Sequence, residues 1–471
     1  MINVFPFASY PVAVMGLGKS GLATAEALRA AGAEVLAWDD SEAKRAEARA
    51  RGFEPVDLTT CDWKELTTLV LSPGIPHTHP RPHPVAALAK KHKVEIVGDI
   101  ELLARSERLA SFVGVTGTNG KSTTTALIGH ILKGAGKRAA VGGNIGTPVL
   151  ALESVGDGIY VLEMSSYQLE LTPSLTCDVA VLINISPDHL DRHGGMNGYI
   201  AAKKTIFQRQ TSPRTAVVGV DDPHSLALHD ELMQIGDQHI IAISSARRID
   251  RGVFVHDGIL FDAIEGDAVE MGDLRPIATL PGEHNWQNAA AAYAACRALH
   301  VDGRKIIEAM ASYPGLAHRQ ETVAVADGLT FVNDSKATNA DAAAKALACY
   351  DAIYWIAGGR AKEGGISSLA PFFGRIRHAY LIGESAEPFA RSLPDNIART
   401  MSGTLEAAVQ AAHRDALKDK AAGAVILLSP AAASFDQFAN FEARGDMFRT
   451  LAQALPGASK PAATATNGGR A

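Results

Sequence analysis

The chain contains few cysteines, and none is paired with another in the sequence. Its four cysteines, at positions 61, 177, 296 and 349, stand in separate segments without a Cys-x-x-Cys motif. This distribution argues against a disulfide framework and against a cysteine-based metal site. It indicates reduced, buried thiols and therefore a reducing compartment.

Long hydrophobic runs are absent as well. No apolar stretch approaches the ~20 residues that a membrane-spanning helix requires, and the N-terminus lacks the basic region and apolar segment of a secretory signal. A formal net charge of −6 gives no basic footprint for nucleic acid. We therefore expect a cytoplasmic protein that acts on small molecules and neither inserts into a membrane nor binds nucleic acid.

What the sequence does contain is typical of a large α/β protein. Its length of 471 residues suggests about three domains, and 47% hydrophobic residues can fill several cores. We predict a Rossmann-like domain at residues 1–107, a P-loop-type central ATPase domain with a parallel sheet at 108–317, and a second Rossmann-like domain at 318–455. The low-complexity residues 456–471 predict a disordered tail.

The clearest chemical signal lies at residues 111–134. An apolar run ends at Val115, a glycine-spaced loop follows, and apolar residues then recur at helical spacing, which predicts a strand, a phosphate loop and a helix. Backbone amides and the helix N-terminus would bind an anion. Lys121 would neutralise the β- and γ-phosphates, and Ser122 could bind Mg²⁺. The loop is a variant, because the usual pattern has glycine at the position of Val115, and it predicts nucleoside triphosphate binding.

A second glycine-rich turn, at residues 16–21, follows a short apolar strand and precedes a predicted helix. Asp39 and Asp40 end the next strand about twenty residues later, as in the dinucleotide-binding fingerprint. NAD fits this pattern, and so does a nucleoside diphosphate sugar, because both place a diphosphate on a helix N-terminus. Residues 72–76 predict a loop over the same crevice. The histidines at positions 77, 79 and 83 lie in a proline-rich loop, and we expect them to be solvated rather than metal-bound.

Two polar residues end predicted strands of the central domain. Glu163 and His189 would point toward the phosphate loop, because ligands gather at the carboxyl ends of parallel strands. A buried carboxylate is costly unless it meets a cation, and Mg²⁺ on ATP would serve. His193 could form a zinc pair with His189, but the loop setting argues against it. Taken alone, the adjacent Lys203 and Lys204 indicate a solvated helix face.

Polar residues also follow the predicted strands of the C-terminal domain. Asp334 and Lys336 follow one strand, Lys362 follows the next, and Ser434 follows the last. A doubly wound topology could bring all four to one crevice. In the central domain, the polar start of the alanine-rich helix near Asn285 could bind a nucleobase or the ligands of a metal.

Four segments carry a resemblance to a known family: GVTGTNGKST at 114–123, NISPDHLDRH at 184–193, His284-Asn285 and His318-Arg319. Together they resemble the Mur ligase family, the ATP-dependent amide ligases of peptidoglycan precursor synthesis. Further motifs resemble those of the D-glutamate-adding member, and they lie at residues 333–339, 428–438 and 440–445. The resemblance covers the whole chain except the tail. It implies ATP-dependent ligation of D-glutamate to UDP-N-acetylmuramoyl-L-alanine through an acyl phosphate and a tetrahedral intermediate, giving ADP and phosphate.

The resemblance also implies a role for each matching residue, in an enzyme that we expect to be a monomer. The catalytic residues would be Lys121, His189 and a carbamylated Lys203. Two Mg²⁺ ions would be bound, one by Ser122 and Glu163 and the other by His189 and Lys203. ATP would contact Gly117, Thr118, Asn119, Gly120, Lys121, Ser122, Thr123, Asn285, Arg319 and Asp334. D-Glutamate would contact Lys336, Thr338, Lys362, Ser434 and Phe441. The uridine diphosphate substrate would contact Lys19, Ser20, Asp39, Asp40, Gly74 and, on the muramoyl side, Asn144.

One position departs from the family pattern, and two other classes of protein stay open. Some Mur ligases carry an arginine shortly after the acidic strand end, where this chain has Ser41. An NAD-linked dehydrogenase would use the first domain and leave the phosphate loop unexplained. A nucleotide switch would use the phosphate loop without an acceptor site. Phosphate release that requires two substrates would distinguish the ligase from both.

Overall fold

A computed structural model describes residues 1–362, 364–420 and 423–459 of the chain. The contacts between residues divide the chain into two compact units. The first contains residues 1–274 and 285–310, and the second contains residues 275–284 and the chain from Ala311 onward.

The first sheet belongs to the first unit and is wholly parallel. Its strands are β1 (Pro11–Met15), β2 (Glu34–Trp38), β3 (Thr68–Leu71) and β4 (Glu95–Val97). Its helices are α1 (Lys19–Ala30), α2 (Glu42–Ala50), α3 (Pro84–His92) and α4 (Asp99–Ser106). The strand order β2-β1-β3-β4 places the topological switch point between β1 and β3. Ligands of open α/β sheets bind at such a point, outside the carboxyl ends of the strands.

Strand β1 shows why this sheet is covered on both faces. Val12 and Val14 enter one apolar cluster, whereas Ala13 and Met15 enter another. Successive side chains of a strand point to opposite faces, so a continuous apolar run at the centre of a sheet fills two cores.

The central sheet, also in the first unit, has nine strands. They are β5 (Ser111–Thr116), β6 (Ala139–Gly143), β7 (Ile159–Glu163), β8 (Val179–Leu182), β9 (Thr215–Gly219), β10 (His239–Ser244), β11 (Gly252–His256), β12 (Ile259–Ala263) and β13 (Val269–Asp273). The connected helices are α5 (Lys121–Gly134), α6 (Ser166–Leu169), α7 (Met196–Lys204), α8 (Pro223–Ile235), α9 (Glu283–Ala298) and α10 (Gly303–Ala311). The order is β13-β12-β11-β10-β9-β8-β5-β7-β6, so the strand before the phosphate loop is internal.

The central sheet is not parallel throughout, in contrast to the sequence-based expectation. Strands β12 and β13 are antiparallel to their neighbours. The turn between β11 and β12 has two residues, Asp257 and Gly258, with φ values of 51° and 79°. Two consecutive positive φ values form the tight hairpin turn that Asp-Gly favours, and such a turn is too short for a parallel crossover.

The third sheet belongs to the second unit and has six strands. They are β14 (Glu321–Ala326), β15 (Leu329–Asn333), β16 (Ile353–Gly358), β17 (Ile376–Ile382), β18 (Ala398–Gly403) and β19 (Val425–Leu428). Its helices are α11 (Ala340–Leu347), α12 (Ala386–Ser392), α13 (Leu405–Asp419) and α14 (Phe441–Gln453). The order is β14-β15-β19-β16-β17-β18, and β14 alone among these strands runs antiparallel to its neighbour. The carboxyl ends of β15, β19 and β16 are therefore adjacent.

The described residues also form five short 3-10 helices. They are Phe5–Phe7, Val149–Ala151, Leu190–Arg192, Thr205–Phe207 and Ser367–Arg375. The three sheets follow the order of the three predicted domains, but the first two sheets share one compact unit, and the boundaries at 107 and 317 stay predictions.

The predicted tail begins in residues that pair with the third sheet. Ser459 exchanges two backbone hydrogen bonds with Val325, of 2.8 and 3.0 Å. Residues 460–471 lie outside the described part of the chain. Among the described residues, no helix is both long and apolar enough to cross a membrane. All four cysteines are free thiols, and Cys177 and Cys296 are buried.

Candidate functional site

Two loops meet at the switch point of the first sheet. Gly16 follows β1 with a φ of 93°, and an added Cβ there would lie 2.7 Å from the Cβ of Ser72, which follows β3. The Ser72 hydroxyl donates to the Gly16 carbonyl at 3.0 Å. Helix α1 begins at Lys19, and its N-cap residue Gly18 makes no side-chain cap, so the amides of its first turn are available to an anion.

The acidic residues at the end of β2 form hydrogen bonds within the protein. The Asp39 carboxylate accepts from the Leu17 amide at 2.7 Å and from the Ser41 amide at 2.8 Å, which orders the glycine turn. Arg45 of α2 donates to the carbonyl oxygens of Asp39 and Asp40, at 2.6 and 2.9 Å. A guanidinium group therefore reaches this strand end from α2, although position 41 is a serine.

The phosphate loop has the predicted strand, turn and helix. Gly120 is the N-cap of α5 with a φ of 86°, and a Cβ there would lie 2.0 Å from the Asn288 side chain. Glycine is therefore required at this position by both conformation and space. The Lys121 ammonium donates to the carbonyl oxygens of Gly117 and Thr118, at 2.9 and 2.8 Å. Lys121 is therefore held against the phosphate loop. The lysine and the loop amides are predicted to contact the same phosphates.

A chain of side-chain amides supports the phosphate loop from the central sheet. Asn184, after β8, accepts from the Thr118 amide with its backbone oxygen and from the Asn119 amide with its side chain, both at 2.9 Å. Its own amide donates to Gln287 of α9 at 3.0 Å, and Gln287 donates to Asp221 at 2.9 Å. The sequence assigned no role to Asn184 or Gln287. Asn184 lies in the NISPDHLDRH motif and Gln287 at the polar start of α9, and these positions were the available signal.

Glu163 ends β7 as a buried carboxylate with one oxygen unused. Its side chain accepts from the Asn144 amide group at 3.0 Å through Oε1. Its Oε2 is buried and has no hydrogen-bond partner among the described residues. Burying a carboxylate oxygen without a partner is costly, so this geometry suits a bound cation. Asn144, predicted to lie on the muramoyl side, is thereby placed beside Glu163.

The two adjacent lysines of α7 have opposite environments. Lys203 is 1% exposed, and its ammonium donates to the Gly117 carbonyl at 2.7 Å and lies 4.7 Å from the ring centre of Tyr199. Burial, and then the charge of Lys121, lower the pKa of Lys203 well below its ordinary value. Lys204 pairs with Glu231 at the surface. The interpretation of these lysines as a solvated helix face is therefore correct for Lys204 and wrong for Lys203.

The paired histidines also differ. His193 is buried, with Nδ1 3.0 Å from Glu170 and Nε2 2.9 Å from the Ser166 hydroxyl, so both its ring nitrogens are engaged. His189 has a half-exposed side chain and a φ of 50°, which places it in a sparsely populated conformation of the kind found at functional sites. The contacts of His193 therefore leave neither of its ring nitrogens free, and the described residues contain no group of three His, Cys, Asp or Glu that could hold a metal.

The expectation of solvated loop histidines is wrong for two of the three. The side chains of His77 and His83 are 14% and 16% exposed. His83 accepts from the Val85 amide at 3.2 Å, which caps α3, and its other ring nitrogen lies 2.9 Å from Asp40. Burial lowers the pKa of His77.

The third sheet brings its predicted residues to one edge. Asp334 follows β15, Lys362 follows β16 and Ser434 follows β19, and these strands are neighbours. Arg360 and Ala433 exchange backbone hydrogen bonds of 2.8 and 2.9 Å, which pairs the loops that carry Lys362 and Ser434. This edge of the sheet therefore carries acidic, basic and hydroxyl groups on adjacent loops.

Comparison with known proteins decides the family. A profile described as "Mur ligase middle domain" matches residues 115–296, and one described as "Mur ligase, glutamate ligase domain" matches residues 318–432. The UDP-N-acetylmuramoylalanine–D-glutamate ligase of Rhodospirillum rubrum is 56% identical over 476 residues, which covers 100% of this chain and 99% of the relative. The protein of the same name from Phenylobacterium zucineum is 52% identical, with 97% and 98% covered. The chain belongs to the Mur ligase family.

Solved Mur ligases share the fold at low sequence identity. The UDP-N-acetylmuramate-alanine ligase MurC of Thermotoga maritima gives a TM-score of 0.57 at 18% identity, over 93% of this chain and 98% of that one. The MurF ligase of the same organism in complex with ADP gives 0.55 at 19% identity, over 96% and 97%. The predicted three-domain α/β fold class is thereby confirmed. As a Mur ligase, the chain is an ATP-dependent ligase that forms amide bonds.

The predicted site residues of this Mur ligase divide between the two compact units. The first unit holds Lys19, Ser20, Asp39, Asp40, Gly74, residues 117–123, Asn144, Glu163, His189, Lys203 and Asn285. The second unit holds Arg319, Asp334, Lys336, Thr338, Lys362, Ser434 and Phe441. The residues of the first group are positioned by the first and central sheets, and those of the second group by the third sheet.

Arg444 of α14 is a residue of the second unit to which the sequence assigned no role. It is 1% exposed, and it donates to the Ser335 hydroxyl at 3.0 Å, the Ser335 carbonyl at 2.9 Å and the Gly358 carbonyl at 3.4 Å. Burial lowers its pKa to about 10. The arginine ties the loop after β15 to the end of β16, and its place in the motif at 440–445 was the available signal.

Asp334 should make the stability of this Mur ligase depend on pH. Burial raises its pKa to about 7 from 3.8, against the opposing hydrogen bond from Ser429 at 2.8 Å. A carboxyl whose pKa is raised on folding stabilises the protein fully below its unfolded pKa, and that stability is lost as the pH rises through the folded pKa. The Asp334→Asn variant should therefore gain roughly 2–4 kcal/mol relative to the wild type between pH 4 and pH 8.

Denaturant unfolding at a series of pH values measures this difference. Asp351→Asn is the matched control, because the Asp351 side chain is 94% exposed and its charge stays solvated in both states. A constant difference between Asp334→Asn and the wild type across this range would contradict the prediction.

Proposed function

We propose that this Mur ligase joins D-glutamate to UDP-N-acetylmuramoyl-L-alanine in cytoplasmic peptidoglycan precursor synthesis. The full-length identity of 56% with the Rhodospirillum rubrum D-glutamate ligase is the observation that carries the proposal. The reaction consumes ATP and gives ADP and phosphate. The four free cysteines are compatible with a reducing compartment, and the enzyme would act as a monomer.

A carboxylate is a poor acylating agent, so the reaction begins by phosphorylating it. Phosphoryl transfer requires positioning and charge neutralisation more than covalent help from the protein. Lys121 and the amides of the phosphate loop supply positive charge to the β- and γ-phosphates. The amine of D-glutamate then attacks the acyl phosphate, and the tetrahedral intermediate expels phosphate to leave the amide.

Four residues of the central domain would hold two Mg²⁺ ions. Oε2 of Glu163, which has no partner among the described residues, and the buried Ser122 hydroxyl would hold one ion, and His189 and a modified Lys203 would hold the other. Mg²⁺ held by these residues would neutralise charge on the transferring phosphoryl group. In the alternative role, His189, with its half-exposed ring beside Asp188, would accept the proton of the attacking amine instead of binding metal.

Lys203 would act as a carbamate. The neutral amine forms an N–C bond to CO₂ as one C=O π bond of CO₂ opens, and the nitrogen gives up one proton to solvent, so that a neutral amine becomes an anionic oxygen ligand. Its observed contacts with the Gly117 carbonyl and the Tyr199 ring involve neutral groups, and its lowered pKa favours the neutral amine that this step needs. An ammonium would oppose metal binding, whereas the carbamate supports it.

The remaining residues would hold the substrates. Lys336 and Lys362 would neutralise the two carboxylates of D-glutamate, and Lys336 already lies 5.1 Å from the ring centre of Phe441. Thr338 and Ser434 would donate hydroxyl hydrogen bonds. The adenine nucleotide would also contact Asn285, Arg319 and Asp334. The uridine diphosphate group would contact Lys19, Ser20, Asp39, Asp40 and Gly74, with Asn144 on the muramoyl side.

Phosphate release in the presence of different acceptors tests the proposal. We expect rapid release only when ATP, UDP-N-acetylmuramoyl-L-alanine and D-glutamate are all present, with L-glutamate as the matched control that differs in one stereocentre. Equal turnover with L-glutamate, L-alanine or meso-diaminopimelate would assign the chain to a different acceptor. Release without any acceptor would indicate a nucleotide switch instead.

A further inference from the structure

A loop of the first sheet is held by one arginine of the central sheet. We call residues 72–79, which follow β3, the β3 loop. Arg192 Nη1 donates to the His79 carbonyl at 2.8 Å, and Arg192 Nη2 donates to the Pro73 carbonyl at 3.3 Å and lies 3.5 Å from the Ile75 carbonyl. Three carbonyl oxygens from two ends of one loop thus converge on a single guanidinium group.

The guanidinium group is fixed by its own surroundings. It lies 4.7 Å from the ring centre of Tyr167, which limits its movement on one side. Arg192 ends the 3-10 helix Leu190–Arg192, and its amide donates to the carbonyl of the N-cap residue His189 at 3.0 Å. A shift of Arg192 would therefore be transmitted to His189 over a single turn.

The first residue of the β3 loop contacts the glycine turn of the first sheet. Ser72 donates to the backbone of Met15 and Gly16, at 2.9 and 3.0 Å. Gly74 lies in open space, because an added Cβ would meet nothing within 4 Å. The loop thus has one side on the predicted diphosphate crevice and another on Arg192.

We propose that Arg192 is a positioning residue that sets the β3 loop for the uridine diphosphate group and links that loop to His189. The inference rests on the proposed position of the uridine diphosphate site. Arg192 would not touch the nucleotide itself. It supplies donors to three loop carbonyls, and the rigid planar fork of a guanidinium group fixes their relative directions, whereas an ammonium is a single point charge on a flexible stem.

Binding of uridine diphosphate and steady-state kinetics of three full-length variants test the inference. In Arg192→Ala, we expect the Kd for UDP and the KM for the uridine substrate to rise about tenfold, as for the loss of one charge-assisted hydrogen bond. The KM values for ATP and D-glutamate should change less than about twofold. For Arg192→Lys, both constants should lie between those of the wild type and those of Arg192→Ala. Added guanidinium ion should lower the Kd and the KM of Arg192→Ala toward the wild-type values. Arg138→Ala is the matched control, because Arg138 also donates to a backbone carbonyl, that of Val155 at 3.1 Å, on an exposed surface.

The outcomes separate the inference from the proposed function. If wild-type protein does not bind UDP, the proposed site is wrong. If wild-type protein binds UDP and Arg192→Ala binds it equally well with an unchanged KM, the inference alone is overturned. If all three KM values rise together and guanidinium ion restores nothing, Arg192 merely stabilises the fold, and the inference is overturned as well.

Discussion

Replacing Lys203 by alanine should lower the ligase rate about a thousandfold, comparable to the loss of a group that stabilises developing charge in a water-excluded site. Lys203 is buried and donates to the Gly117 carbonyl of the phosphate loop. Its removal would take an anionic oxygen ligand away from the proposed metal site. It would also leave a cavity beside the loop, since the lysine fills space next to Tyr199.

Initial rates of phosphate release measure this effect, and small carboxylates identify its cause. Formate or acetate should restore part of the activity of Lys203→Ala by supplying the missing oxygen ligand. Lys204→Ala is the matched control, because Lys204 pairs with Glu231 at the surface and points about a hundred degrees away around the helix. A silent Lys203→Ala, or an inactive Lys204→Ala, would contradict the assignment. If Lys203→Ala is inactive, as stable to heat as the wild type and not restored by formate or acetate, the carbamate hypothesis is rejected, although the lysine is still essential.

The Glu163→Gln substitution should lower activity and raise stability together. Glu163 buries one carboxylate oxygen without a partner among the described residues, and a neutral amide lowers that desolvation cost while keeping the hydrogen bond from Asn144. In the absence of Mg²⁺, we expect the free energy of unfolding to rise by about 1–3 kcal/mol. Activity should fall about a hundredfold or more, because the proposed Mg²⁺ loses a charged ligand.

Thermal unfolding with and without Mg²⁺ measures the change in stability, and initial rates of phosphate release measure the change in activity. The wild type should gain stability on addition of Mg²⁺ and ATP, whereas Glu163→Gln should gain much less. Glu153→Gln changes an exposed glutamate ten residues away and should match the wild type in both respects. A Glu163→Gln variant that is less stable than the wild type and still responds to Mg²⁺ would show that the carboxylate is structural.

The sequence alone determined the parts of this protein that depend on neighbouring residues. Strands β1 and β2 and the start of α5 were predicted at or near their observed ends, because an apolar run followed by spaced glycines has few alternatives. Gly120 illustrates the reason, since its φ of 86° and its contact with Asn288 exclude other residues. The family was also recognisable from short motifs, because its phosphate loop and acceptor loops are local in sequence.

Only the tertiary structure decided which side chains meet. Local spacing does not distinguish Lys203 from Lys204, which only the family resemblance separated in the sequence, whereas burial against the phosphate loop separates them in the structure. Arg444 reaches Ser335 and Gly358 across roughly a hundred residues, and Arg192 reaches the β3 loop across a similar separation. Such contacts depend on how separate strands and helices are packed, and no local pattern records them. Propensity and spacing therefore determined the elements and their loops, whereas long-range packing determined the charge and orientation of the groups at the site.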